Sequence, residues 1–278
     1  LKLYAHLIAF FILAQLIGIY TGSILFHDYD TNPYVQEFYL KQKTTDESYV
    51  HLLLFLSAML IGTVFFLLLI KIYRGLLLFI LVEFFLISVT SSIFFYAISR
   101  NFLGYLESME LGIFLGIILA ILKIKFPHLK NFVAVISAGV VGALFGVSFS
   151  PIFVVLFLVA LAIYDYIAVF KTKHMVTLAK FLMKKEMPLT ISVKEKVKGK
   201  PEQRMDLGTG DILAPAMLEV SFLQINPIAS FIAFLGAVTA ILCMIYCLRK
   251  KKMIFPALPP IVAGMLLFLG IGYLVGLV

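Results

Sequence analysis

Two aspartates, Asp165 and Asp211, are the residues of this 278-residue chain best suited to chemistry. Each lies in an otherwise apolar stretch, Ala162-Ile163-Tyr164-Asp165-Tyr166 in one case and the run following Gly208-Thr209-Gly210-Asp211 in the other. An ionisable side chain at the centre of a bilayer costs about 2.5–3.5 kcal/mol on insertion scales, so it usually faces a bundle interior or a wet cavity. Two carboxyls in close approach cannot both ionise; one keeps a proton while the other is an anion. Such an unequal pair can activate a water molecule and protonate a leaving amide. Glu83 and Glu219 also fall in apolar stretches, at other depths, and are read as packing or pore-hydrating groups. The competing reading for any lone intramembrane acid is an interhelical hydrogen bond that holds the bundle together.

The residues around the pair favour an opened backbone. Gly208 and Gly210 lower helix propensity and allow another backbone to come near. Pro215 has no N–H, so the carbonyl of Asp211 loses its usual helical donor. Non-helical backbone at membrane depth persists only where protein or water satisfies it. Further on, Pro256-Ala257-Leu258-Pro259-Pro260 places three prolines in five residues. This predicts a delayed helix and an extended segment beside the aspartates; the alternative is an ordinary helix start with proline in its first turn.

The elements that position these residues must be membrane helices. The chain is 62% hydrophobic and 14% charged, against roughly 45–50% and 25% in soluble domains. The longest polar stretches, 27–50 and 171–207, are shorter than the ~50 residues of a small independent domain. These proportions exclude a soluble enzyme, a secreted disulfide scaffold and a disordered chain. With about 20 apolar residues per span, nine candidates appear, near 3–26, 51–70, 75–98, 108–122, 131–149, 151–170, 208–224, 227–248 and 256–277. The first exceeds the core of a signal peptide and has no clear cleavage site, so it reads as a retained helix. Only Ser150-Pro151 separates the fifth and sixth, which predicts a tight hairpin.

Charge supports that count. The first, third, fifth, seventh and ninth segments outside the helices carry one, two, three, ten and four basic residues. Together these are 20 of the 23, and only Lys41, Lys43 and Arg100 fall on the other side, with most of the loop acids. By the positive-inside rule the N-terminus is cytoplasmic and the C-terminus outside. The net charge of +8 is thereby a topology signal and implies no nucleic-acid partner. Asp165 and Asp211 then both lie within roughly one to two turns of the cytoplasmic boundary, at about 1.5 Å per residue. The expected fold is all-α, with a six-helix portion over 1–170, a cytoplasmic loop over 171–207 and a three-helix portion over 208–278.

Gly18/Gly22, Gly112/Gly116, Gly142/Gly146 and Gly272/Gly276 are small-xxx-small pairs, expected to pack four helices closely within a bundle. Cys243 and Cys247 share a helix face where disulfide geometry is poor, and are expected to serve helix packing. His6, His27, His51, His128 and His174 are scattered and read as solvated groups, so no metal site is expected.

Tyr164-Asp165 in the sixth of nine spans, Gly208-Thr209-Gly210-Asp211 in the seventh and Pro256-Ala257-Leu258 in the ninth form a specific set in order. On these motifs the chain resembles the presenilin and signal peptide peptidase family of intramembrane aspartyl proteases, and among them the compact archaeal presenilin homologues. The resemblance extends along the whole chain. It implies Asp165 and Asp211 as a catalytic dyad supported by Tyr164, Gly208, Thr209 and Gly210. Pro256, Ala257 and Leu258 become part of the active-site and substrate-docking element. Thr209 departs from the leucine usual in the family, at a position that tunes substrate choice. The short 171–207 loop lacks the large insert of eukaryotic presenilins, which bears on self-cleavage. Signal peptide peptidases share the motifs in an inverted orientation, and the basic-residue split favours the presenilin one. Prepilin peptidases also use Gly-x-Gly-Asp, but with a Cys-rich segment this chain lacks.

The implied partners are the lipid bilayer of the cell membrane and single-span membrane-protein substrates, with no cofactor and no auxiliary subunit required. Residues 173–187 read as an interfacial amphipathic helix. Leu189-Thr190-Ile191-Ser192-Val193 alternates and is β-branched, so it is expected to pair with an extended substrate segment by strand addition; a disordered basic loop is the alternative. The rival function is a proton- or cation-conducting transporter that uses the same acids.

Overall fold

A computed structural model describes residues 2–31, 76–170, 190–195, 203–248 and 256–277, together with Leu54, Ser57 and Ile61. Within these residues the chain forms α1 (Lys2–Thr31), α2 (Leu76–Ser99), α3 (Tyr105–Lys125), a 3-10 turn (Pro127–Leu129), α4 (Lys130–Ser148) and α5 (Pro151–Phe170). There follow β1 (Thr190–Glu195), β2 (Gln203–Gly208), α6 (Thr209–Phe222), α7 (Pro227–Leu248) and α8 (Leu258–Leu274). Among the described residues five helical stretches are long and apolar enough to cross a membrane: Leu3–Tyr29, Ile80–Ser99, Tyr105–Lys125, Pro127–Ser148 and Pro227–Cys247. Pro151–Ile167 and Leu258–Leu274 are shorter apolar helices. The expected span over 51–70 lies outside the described residues except for its three helical positions, as do the expected amphipathic helix over 173–187 and Leu189.

At the centre stands α6, whose residues Ala214 to Phe222 are all buried. It packs against α1, α4, α5, α7 and α8. Small residues make this closeness possible. A Cβ added at Gly142 would lie 2.6 Å from the Ala216 Cβ, and one at Gly146 would lie 2.6 Å from the Val220 Cβ. From the other side, added Cβ atoms at Gly18 and Gly22 would meet Ala216 at 3.2 Å and Val220 at 2.5 Å. The glycine faces of α1 and α4 therefore grip the same two side chains of α6. Gly112 and Gly116 seat α3 against Ser88, Ser92 and Tyr96 of α2.

The fourth expected pair does not form a packing face. Gly272 is buried, but Gly276 follows the helix with φ +76° and an open side. It ends α8 as a left-handed cap, with Gly276 N–H donating to Tyr273 O at 3.1 Å and Leu277 N–H to Gly272 O at 2.9 Å, the Schellman pattern. The close contact of α8 with α7 falls instead at Gly236 and Gly264, where an added Gly236 Cβ would lie 2.8 Å from the Gly264 carbonyl oxygen.

Four further expectations change. The fold is predominantly helical but not all-α: β1 and β2 pair antiparallel, from Thr190↔Gly208 to Glu195↔Gln203. The turn between α4 and α5 is short as expected, yet the helices do not pack along each other; α5 lies against α6 and α8. Cys243 and Cys247 are exposed on α7 rather than packed, because Ala233, Ala237 and Ile241 supply its buried face. At Pro256–Pro260 the helix starts at Leu258 with proline in its first turn, and Ala257 is already helical at φ −80° and ψ −33°. First-turn N–H groups have no helical acceptor, so the prolines forfeit nothing there.

Ion pairs tie neighbouring helices. Asp28, 1% exposed, pairs with Arg100 Nε at 2.9 Å and accepts a hydrogen bond from Tyr96 Oη, tying the C-terminal end of α1 to α2. Glu83 of α2 forms an ion pair with Lys123 of α3.

Candidate active site

Asp211 is the third residue of α6, and Gly208 is its N-cap, in an extended conformation at φ −64° and ψ 139°. That spacing places the Asp211 side chain beside the Gly208 backbone at the helix start. An added Gly208 Cβ would lie 3.1 Å from Asp211 Oδ2, whereas one at Gly210 would meet nothing within 4 Å. Glycine at 208 thus keeps the carboxylate's side clear, and glycine at 210 leaves an open flank. Thr209 between them is half-buried.

Pro215 sits inside α6, one turn after Asp211. Beside the carbonyl that it deprives, the Ile212 carbonyl accepts a hydrogen bond from Gln15 Nε2 of α1 at 3.0 Å. A fully buried amide from a neighbouring helix thereby satisfies backbone at the proline break, as a bilayer interior demands. In the sequence the only signal for Gln15 is a glutamine within an apolar span.

Asp165 lies on α5, five residues before the helix ends, and is half-buried. α5 packs against α6, which carries Asp211, and against α8, which begins at Leu258. The structure therefore brings together three helices separated in sequence: that of Asp165, that of Gly208–Asp211 and that of Leu258. Pro256, Ala257 and Leu258 are all buried, and Leu258 joins the main apolar core. Tyr164 is 59% exposed and so turns away from that core.

The other acids stand apart. Glu83 is taken by Lys123. Glu219 is fully buried, two turns deeper in α6 than Asp211, with no hydrogen-bond partner for either oxygen among the described residues.

The segment before the site is a strand that runs without a break from Gln203 to Gly208 and directly into α6. Ile191 and Leu207, opposite one another in the register, are both buried and join the apolar core, so the hairpin docks on the bundle through that face. Asn131 at the start of α4 holds it further, with Nδ2 donating to Ser192 O at 2.7 Å and Oδ1 accepting from Ser192 N–H at 3.1 Å. Asn131 carries no sequence signal beyond a polar residue at a helix start.

The model of the family described as signal-peptide peptidase, presenilin aspartyl protease matches residues 36–278. The chain belongs to this family. Two solved structures, each described as a presenilin family intramembrane aspartate protease, share the fold of this family member. One, in a C222 space group, is 22% identical, covers 98% of this chain and 99% of its own, and superposes with a TM-score of 0.72. The other, in a P2 space group, is 23% identical, covers 94% and 96%, and has a TM-score of 0.63. No curated protein matches the chain. As a presenilin-family aspartyl protease with several membrane-length helices, it is a multi-pass membrane protein, and the transporter reading finds no support.

Proposed function

We propose that this family member is an intramembrane aspartic endopeptidase in which Asp165 and Asp211 are the catalytic dyad, hydrolysing peptide bonds within single-span membrane substrates. The observation that carries the reading is the packing of α5, which bears Asp165, against α6, which bears Asp211 in its first turn, with α8 against both. One carboxylate activates water for attack on the substrate carbonyl. The protonated partner stabilises the developing oxyanion and then protonates the departing amine. The two acids titrate as one unit, which gives a bell-shaped pH–rate profile.

Helical peptide bonds are shielded by their own hydrogen bonds, so a substrate must unwind before it is cut. The β1–β2 hairpin beside the dyad supports strand addition as the means, with Thr190, Ile191, Ser192 and Val193 in the receiving sheet. Leu189, next to them in sequence, belongs to the same proposed docking segment, and Pro256-Ala257-Leu258 flanks the site. Tyr164, Thr209 and Gly210 line the approach, with Thr209 shaping substrate preference. In this reading nine spans cross the cell membrane, with the N-terminus and the dyad on the cytoplasmic side, and no cofactor or auxiliary subunit is required.

The test uses purified protein in liposomes with a single-span substrate. Wild type cuts it, a transition-state-mimicking hydroxyl inhibitor blocks cutting, and Asp165→Asn and Asp211→Asn each abolish it. Undiminished cleavage by either variant overturns the assignment.

A further inference from the structure

The outer edge of β1 is already occupied. Asn131 makes with Ser192 the two hydrogen bonds that a residue of a neighbouring strand would make, one to its carbonyl and one from its N–H. In an antiparallel pair, residues whose N–H and C=O both face the partner strand alternate with residues for which both face away. Ser192 turns both groups to Asn131, away from β2. Its register partner Asp206 must therefore turn its own away from β1, and so by alternation must Arg204 and Gly208. Gly208 is also the N-cap of α6, whose first turn carries Asp211. Among the described residues no strand lies against that side of β2. The two edges thus differ: the β1 edge is closed at Ser192, and the β2 edge leads from Arg204 through Asp206 to the Asp211 carboxylate.

We propose that Asn131 is a positioning residue that closes the β1 edge and moors the hairpin to α4, so that a substrate strand is admitted only along β2 and in one register relative to Asp211. This rests on the protease reading above. Mooring matters because an added strand that slips by two residues keeps its side-chain faces while presenting a different peptide bond to the dyad. The bonds to Ser192 fix the hairpin's height against the same helix, α4, that grips α6 and hence Asp211.

The experiment measures KM, kcat and the distribution of cut sites, by mass spectrometry, for a single-span substrate in liposomes. With Asn131→Ala the expected result is a KM raised about ten-fold, from the loss of two hydrogen bonds, and cuts spread over neighbouring peptide bonds. Asn131→Asp, which keeps the acceptor and loses the donor, falls between Ala and wild type. Ser192→Pro deletes the outward N–H without touching the β1–β2 ladder, so it should reproduce the scattered cuts. The Asn131→Ala/Ser192→Pro double variant should be no worse than the worse single. Where Asn131→Ala fails to yield folded protein, Asn131→Asp and Ser192→Pro carry the same comparison. A wild-type cut pattern and KM in these variants overturns the proposal while leaving the protease reading intact, as does a fall in kcat alone. Failure of the wild type to cut any single-span substrate removes the protease reading and this proposal together.

Discussion

The two catalytic candidates sit differently on their helices: Asp211 is the third residue of α6, beside the glycine that begins it, and Asp165 lies five residues before the end of α5. Replacing either aspartate by asparagine should lower cleavage by at least about 10³-fold, given the usual worth of acid–base catalysis. The check is a single-turnover assay, with thermal unfolding to show that the fold survives. Gly208→Ala is subtler. Its added Cβ would meet Asp211 Oδ2 at 3.1 Å, so the carboxylate must shift by a few tenths of an ångström. A 1 Å misplacement can cost about 10² in rate, so the expected loss in kcat is about ten-fold, with little change in stability. At this scale Asp165 and Asp211 stand out in the sequence because an acid in an apolar span is too costly to be casual. Asn131 and Gln15 do not, because a single amide at a helix start or in a span looks the same whether it binds its own helix or another.

Among the elements, α6 depends on contacts that leave no slack. Gly146 faces both the Val220 Cβ and, at 2.7 Å from an added Cβ, the Met217 carbonyl. Gly146→Ala should therefore lower stability by about 1–3 kcal/mol, the cost of overpacking a tight core, as read from unfolding in detergent. Activity should fall with it, since α6 carries Asp211. Glycine spacing made three of these close faces readable in advance. The fourth pair misled because a glycine four residues from another marks either a packing face or a helix cap, and only the end of the helix at Leu274 decides between them. The strand Gln203–Gly208 was also hidden. Gln-Arg-Met-Asp-Leu-Gly has neither β-branched residues nor clean alternation, and it becomes a strand by pairing with Thr190–Glu195 and burying Leu207.

For the whole molecule, apolar composition and charge alternation pointed to a membrane bundle, and the helices at 2–31, 76–170 and 209–274 fall close to the runs read from hydropathy. What composition could not show is which helices touch. The short turn before Pro151 invites a hairpin, yet α5 leaves α4 for α6 and α8, and this departure brings the helix of Asp165 against that of Asp211. The length of α6 has a consequence of its own. Its 14 residues rise only about 21 Å, against a hydrocarbon core of about 30 Å, and a strand rather than more helix precedes them. Its neighbours α1, α4, α5, α7 and α8 bury it, so lipid does not meet α6 and its shortness is absorbed within the bundle. Reconstitution across a series of acyl-chain lengths should therefore leave the cleavage rate nearly flat for as long as the longer helices match the bilayer. A sharp maximum in thin bilayers would mean that α6 itself meets lipid. A helix this short can end inside a membrane protein only because other helices, and not lipid, surround it.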